Sequence, residues 1–294
     1  MQAVAAWLVA RPLNSILALA ATLSLAWLSF LSGAVIVLLA LHKGMRSAAL
    51  EAAAAGGLTA IVGALLQIPF GVTLQGVVTI WLPALLLTTV LMATRSLTLT
   101  AQLAYIVAVI AMALFFAIVA DPVEFWQRIL SDLGNMWREM GLSEQADMLV
   151  REQGAIAGQM TIVAVLMAWS VSMVSLMLGY KLYRLLPDRP AAYGRFRDLN
   201  FGRVLALGMA LASVAALLTG WASLQNIAFV MFAMFWLQGL AIAHWSHAQG
   251  FLPTFGLGAV YVLTPILNLI MLMGLALTGY IDAWFGFRRL PAAK

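Results

Sequence analysis

Between Arg203 and Asp282 the chain runs for 78 residues, 204 to 281, without one Asp, Glu, Lys or Arg. A charged side chain near the centre of a bilayer costs roughly 2.5 to 3.5 kcal/mol even on insertion-based scales, so hydrocarbon selects stretches of this kind and a soluble core has no need of them. The stretch is also too long for one crossing, because a hydrocarbon core about 30 Å thick is spanned by about 20 helical residues. It must fold back on itself.

Shorter charge-free stretches cover 12 to 42, 52 to 94, 96 to 120 and 153 to 180. Charged residues make up 9% of the chain and hydrophobic residues 64%, where soluble domains carry about 25% charged. The expected fold is an all-α polytopic transmembrane bundle, one integral membrane domain over 1–294. A β-barrel would show alternating segments of about ten residues, and the sequence has none. Breaks at charges, Gly and Pro predict about eight membrane segments, near 14–41, 48–67, 73–92, 98–120, 156–183, 204–222, 225–246 and 255–281. The first is long enough to be one tilted helix or a helix broken near Gly33. Its apolar run continues past the signal-peptide-like Ala18-Leu19-Ala20, so it reads as a retained segment.

Loop charges orient the segments. The His42 to Arg46 turn, Arg95 and the loop 184–203 are basic and are expected on the cytoplasmic side. The acidic region 121–152 falls on the opposite side. Three crossings after Arg203 would put Arg288, Arg289 and Lys294 outside, against their charge. A broken hairpin within 251 to 285, with breaks available at Pro253 and Pro265, would bring them back.

Region 121–152 is expected to form external interfacial helices. Asp121, Pro122 and Glu124 read as N-cap, N1 proline and capping-box acid. Trp126, Ile129, Leu130, Leu133, Met136, Trp137 and Met140 then recur on one helix face. Gly141 ends that helix and Ser143 caps a short second one. An amphipathic face edged by tryptophan suits the headgroup layer.

Chemistry-bearing groups are few. There is no Cys, hence no disulfide, thiolate metal site or cysteine nucleophile. There is also no hydrolase, metalloprotease or nucleotide-binding motif, so no enzyme activity and no cofactor is expected. The formal charge of +5 comes without any nucleic-acid-binding motif, which makes membrane lipids, and not nucleic acid, the expected partner. In the loop from Tyr193 to Arg203, arginines interleave with aromatics, a pattern suited to anionic headgroups.

Four polar residues in the C-terminal half are the candidate binding residues: Gln238, His244, Asn268 and Asp282. Tyr261, Asn268, Leu275, Asp282 and Arg289 are spaced by seven, one stripe if the segment is a single helix. Asp282, with Arg288 and Arg289 beside it, can bind a solute or anchor the helix end. Gln238 is deep in its segment and needs a partner, since an unsatisfied amide is costly in an apolar medium. His244 and His247 share a face, but no third ligand lies near in sequence, so no metal is expected. Glu51, followed by Ala52 to Ala55 and Gly56-Gly57, is expected to form a surface ion pair near Arg46 or Arg95, while the small residues let two helix backbones approach.

The Phe196-Arg197-Asp198-Leu199 loop, Gln238-Gly239-Leu240 with His244, and the C-terminal Gly279-Tyr280-Ile281-Asp282-Ala283-Trp284-Phe285-Gly286-Phe287-Arg288 together resemble the YybS-like family of bacterial membrane proteins. The family is in turn distantly similar to the substrate-binding S-components of energy-coupling-factor vitamin transporters. The resemblance implies a multi-pass protein of a bacterial inner (plasma) membrane that binds, or helps transport, a small solute or lipid-like molecule. Other membrane proteins or an ATPase module would be its partners. The competing expectation is a non-transporting scaffold in which the same polar groups only lock helices together.

Overall fold

The computed structural model describes residues 1–25, 28–188 and 191–289, and every regular element among them is helical. In chain order these are α1 (Gln2–Ala10), α2 (Pro12–Ser24), α3 (Ser29–Lys43), α4 (Met45–Leu65), α5 (Phe70–Gly76), a π-helical turn (Val77–Trp81), α6 (Leu82–Thr94) and α7 (Leu97–Ile118). There follow α8 (Pro122–Glu139), α9 (Ser143–Arg184), α10 (Gly202–Thr219), α11 (Ala222–Ala233), α12 (Trp236–Ala248), α13 (Thr254–Leu267) and α14 (Leu269–Phe285). Among the described residues six spans are long and apolar enough to cross a membrane, or seven if the bent pair α1 and α2 counts as one. Shorter apolar helices α3, α13 and α14 account for the rest of the eight expected segments.

Two of those segments are broken. The first divides into α2, which ends at Ser24, and α3, which begins at Ser29, upstream of Gly33. Gly33 lies inside α3, where it lets another helix approach. Ahead of it, α1 and α2 meet at 112° because Arg11 precedes a proline and is held extended, at φ −142° and ψ 141°. The last segment divides at Asn268, which adopts φ 34° and ψ −102°. The seven-residue stripe is therefore not one helix face: Tyr261 belongs to α13 and Asp282 to α14.

The chain groups into two compact units. The first comprises Met1–Ala104 and Ala168–Asn200. Its centre is α3, whose residues from Ser32 to Leu41 are all buried, as expected of a helix that is apolar on every side. Helices α2, α4 and α6 and the π-helical turn pack around it. The end of α9 lies directly against it: a Cβ on Gly179 would stand 2.5 Å from that of Val37, and one on Gly33 would stand 2.5 Å from Ser175 Oγ. The Ser175 hydroxyl donates to the Phe30 carbonyl at 2.9 Å. In apolar surroundings small residues and side-chain hydrogen bonds of this kind hold helices together, because the solvent offers no hydrophobic force between them.

The basic loop is tied to this unit through its aromatics. Tyr180 Oη accepts from the Tyr193 N–H at 2.7 Å and donates to the Gly194 carbonyl at 2.9 Å. Tyr193 and Leu199 are buried, whereas Arg195 and Asp198 pair on the exposed side at 2.8 Å.

The second unit comprises Tyr105–Met167 and Phe201–Lys294. An aromatic cluster of Tyr105, Phe201, Phe235 and Tyr280 lies at its core, with centroid separations of 5.4 to 5.9 Å. Asp121 caps α8 by accepting from the N–H groups of Val123 and Glu124, both at 2.9 Å, as the sequence predicts. Glu124 turns to Arg128 and does not close a capping box. Gly141, at φ +81°, ends the turn that follows.

The short second helix expected at Ser143 is instead the beginning of α9, a continuous helix of 42 residues. Its length of about 63 Å is twice the thickness of a hydrocarbon core. Its first turns pack along α8: Trp126 Nε1 donates to Thr161 Oγ1 at 2.8 Å, and Gln153 Nε2 donates to the Gln127 carbonyl and to Ser131. Part of the amphipathic face of α8 is thus covered by protein, while Phe125, Ile129, Met136 and Met140 are exposed.

Candidate functional site

Two features carry the polar and the open parts of the molecule: a buried polar cluster in the second unit, and an apolar groove in the first.

The cluster depends on how α12 meets α14. Gly239 faces the backbone of Leu275, where an added Cβ would come within 2.6 Å of the carbonyl carbon and closer still to the oxygen. Gly279 reciprocates, and a Cβ there would stand 2.8 Å from the Gly239 nitrogen. With the two backbones this close, Gln238 and Asp282 meet in the interface and both are fully buried. Gln238 Nε2 donates to Asp282 Oδ2 at 2.8 Å, and Gln238 Oε1 accepts from the Phe201 N–H at 2.7 Å. Beyond α14, Gly286 takes a left-handed conformation at φ 63° and the chain turns back. Arg288 then reaches Asp282 Oδ2 with both Nε (3.2 Å) and Nη2 (2.8 Å). The Arg203 Nε donates to the Trp284 carbonyl at 3.1 Å. Asp282 Oδ1 is buried without a hydrogen-bond partner among the described residues.

This arrangement joins the start of α10, the first turn of α12 and the end of α14. Charge is neutralised within it, and three donors converge on one carboxylate oxygen. Gln238 finds the partner that its depth demands, and Asp282 pairs with an arginine that follows it, Arg288. The side chain of Arg289 lies outside the described residues. Of the four candidate residues, then, Gln238 and Asp282 are in direct contact. His244 shares a 2.6 Å hydrogen bond with Tyr261 of α13. Asn268 is exposed at the helix break. His247 Nδ1 is paired with the Leu252 carbonyl at 2.9 Å, and no group of three or more metal-ligating side chains occurs among the described residues.

Glu51 differs from its expected setting. It is buried, at 8% exposure, and accepts from Ser15 Oγ and from Lys43 Nζ at 2.9 Å, where a surface pair with Arg46 or Arg95 was expected. The reason is the fold of the N-terminal segment: once α2 and α3 are separate helices, both pack on α4 and bring Ser15 and Lys43 to the glutamate. Sequence distance alone favoured Arg46.

The groove lies on the other face of α4. A cavity of about 520 Å³, open along one side, is floored by Ala49, Ala52, Ala53, Gly56, Gly57 and Ala60. Its opposite wall comes from α5, the π-helical turn and α6, with Phe70, Thr73, Leu74, Val77, Trp81, Leu82 and Leu85. The small residues were expected to bring two backbones together. Ala52 and Ala55 are buried as α2 and α3 pack on α4, but the glycines do the reverse: Gly57 has open space where a Cβ would be, and Gly56 meets only the Trp81 ring at 3.4 Å. Large side chains on the facing wall hold it off. The wall itself bends through the π-helical turn, where the Leu82 N–H bonds back to the Val77 carbonyl and the following Pro83 supplies no donor. Trp81 is fixed by donating its indole N–H to Ser32 Oγ at 3.0 Å. The run of alanines and glycines was the available signal for this groove, but nothing in sequence distinguishes a helix contact from an open floor.

Residues 13–283 match the model of a family described as "Predicted membrane protein (DUF2232)", and the chain belongs to that family. No curated protein and no solved structure matches it.

Proposed function

We propose that this member of a membrane-protein family binds a lipid-like molecule, with an apolar chain lying in the groove between α4 and the α5–α6 wall. One observation carries the reading: an open cavity of about 520 Å³, lined almost wholly by carbon, between two helices that are each long and apolar enough to cross a membrane. Ligand sites are concave and mostly apolar, and π-helical turns recur beside them. In this reading Gln238, Asp282 and Arg288 lock the second unit and do not receive the ligand, and no reaction is assigned to the protein.

The likeness to YybS-like proteins and to transporter S-components favours delivery of the bound molecule with help from a partner, including an ATPase module, in the plasma membrane of a bacterium. A second reading, a membrane scaffold, is favoured by α13, which buries no residue and exposes Phe255, Val262 and Ile266.

Native mass spectrometry of the full chain in mild detergent tests the first reading. A stoichiometric lipid-like adduct is expected in the wild type and is expected to be lost in Gly57→Leu, whose side chain would fill the groove. An adduct of equal occupancy in a folded Gly57→Leu protein would refute it.

A further inference from the structure

The proposed apolar-chain site has a defined polar end, and its chemistry names the class of ligand. The start of α4 meets the C-terminal half of α6, at Met45 and Thr89, so the two helices run in opposite directions and Ala49 and Leu85 mark the same end of the groove. One turn further out, the Thr89 hydroxyl meets the Met45 sulfur at 3.8 Å and marks that end. Arg46 stands in the first turn of α4, and Arg46, Ala49, Ala53, Gly57 and Ala60 follow one another at steps of three or four residues. They therefore share the helix face that floors the groove. Arg95 follows the last residue of α6, at the same end of the opposite wall. Both arginines are exposed, and neither has an ion-pair partner among the described residues. Their neighbour Lys43, by contrast, is engaged with Glu51.

Two unpaired guanidinium groups at one end of an otherwise carbon-lined channel form an amphipathic site with a fixed polarity. An apolar solute would leave both cations unused, and a soluble anion would leave the channel empty. A molecule that carries an acyl chain and a phosphate uses both. Guanidinium matches phosphate with two parallel hydrogen bonds, and the first turn of α4 adds N–H groups without helical partners. The loops holding Arg46 and Arg95 are the basic loops that charge distribution assigns to the cytoplasmic side, where anionic lipids are concentrated.

We infer that the groove is a site for an anionic phospholipid, which lays one acyl chain between α4 and α6 and places its phosphate on Arg46 and Arg95. This rests on the apolar-chain reading above and adds the headgroup to it.

The test is a competition read by native mass spectrometry, with the full chain in non-ionic detergent and an equimolar mixture of phosphatidylglycerol and phosphatidylcholine bearing the same acyl chains. Each exposed arginine near a membrane surface should favour the anionic lipid about fivefold, so the wild type should prefer phosphatidylglycerol about 25-fold. Arg46→Ala combined with Arg95→Ala should still carry one lipid but with the preference reduced to near unity, and Arg46→Lys with Arg95→Lys should restore most of it. A wild type with no preference, or a double alanine variant that keeps the full preference, overturns the headgroup assignment and leaves the chain site standing. Undiminished binding of both lipids in Gly57→Leu overturns the groove itself, and the headgroup assignment with it. Thermal unfolding of each variant, expected within a few degrees of the wild type, separates loss of the site from loss of the fold.

Discussion

Replacing Gly239 by alanine should break the contact on which the buried polar cluster depends. The same replacement at Gly57 should strengthen the protein. In both cases alanine raises helix propensity by about 0.8 to 1 kcal/mol. At Gly57 nothing lies within 4 Å of the new methyl group, so that gain is expressed nearly in full. At Gly239 the methyl would stand 2.6 Å from the Leu275 carbonyl carbon, and backbone cannot swing aside as a side chain can. The helices must part by about 1 Å or more, which as overpacking costs about 1 to 3 kcal/mol. The Gln238 to Asp282 hydrogen bond, at 2.8 Å, is one residue from the point of overlap and would be stretched past the 3.5 Å limit. Leaving buried partners unmade adds about 1 to 3 kcal/mol. The net expectation is a loss of about 1 to 5 kcal/mol for Gly239→Ala and a gain of about 0.5 to 1 kcal/mol for Gly57→Ala. Titration of both variants with sodium dodecyl sulfate in mixed micelles, followed by circular dichroism, measures the difference directly. Equal midpoints would mean that the α12–α14 approach does not hold the second unit together.

Three further outcomes follow from the same contacts. Gln238→Leu keeps volume but strands the Phe201 N–H and removes one of the donors to Asp282 Oδ2, and should lower stability by about 2 to 4 kcal/mol in the same titration; a change under 0.5 kcal/mol would contradict the assigned pairing. Lys43→Met leaves Glu51 buried beside Ser15 alone and should cost about 3 kcal/mol, while the double variant Lys43→Met with Glu51→Leu should recover most of that loss. If the two losses simply add, the residues are not partners. Asn268→Gly relieves a side-chain-bearing residue of φ 34° and should raise stability by about 1 kcal/mol, whereas Asn268→Ala should not; a destabilised glycine variant would show that the amide is needed at the break.

Much of the fold was legible in the sequence because hydropathy is a local property. The spans at 48–67, 98–120 and 204–222 fall on α4, α7 and α10, and the cap at Asp121 depends only on the three residues that follow it. The pairing of Asp282 with Arg288 was legible for the same reason, six residues being within reach of a helix end that turns back. The helix partners were not legible. In an apolar surrounding a leucine facing lipid and a leucine facing another helix satisfy the same requirement, so no periodic polar face marks the side that will be buried. Glu51 shows the consequence, for its cation comes from whichever helix packs on α4. Asn268 shows another: Pro265 marked a break in this segment, but the chain divides three residues later, at Asn268, which carries no mark of its own.

The two glycine-rich contacts show what distinguishes a lock from a binding surface in such a protein. Gly239 and Gly279 each stand within three residues of a member of a hydrogen-bonded pair, Gln238 and Asp282, and close approach of the backbones is what lets those short polar side chains meet. Gly56 and Gly57 have no such neighbour on their face, and the residues opposite are Trp81, Leu82 and Leu85. Without a polar pair to draw the helices together, and with bulky side chains holding the wall away, small residues produce volume in place of contact. In the proposed site that volume takes one acyl chain, with Arg46 and Arg95 receiving the headgroup. Glycine content is therefore uninformative by itself, whereas its position relative to buried polar partners separates the closed helix contact of the second unit from the open groove of the first.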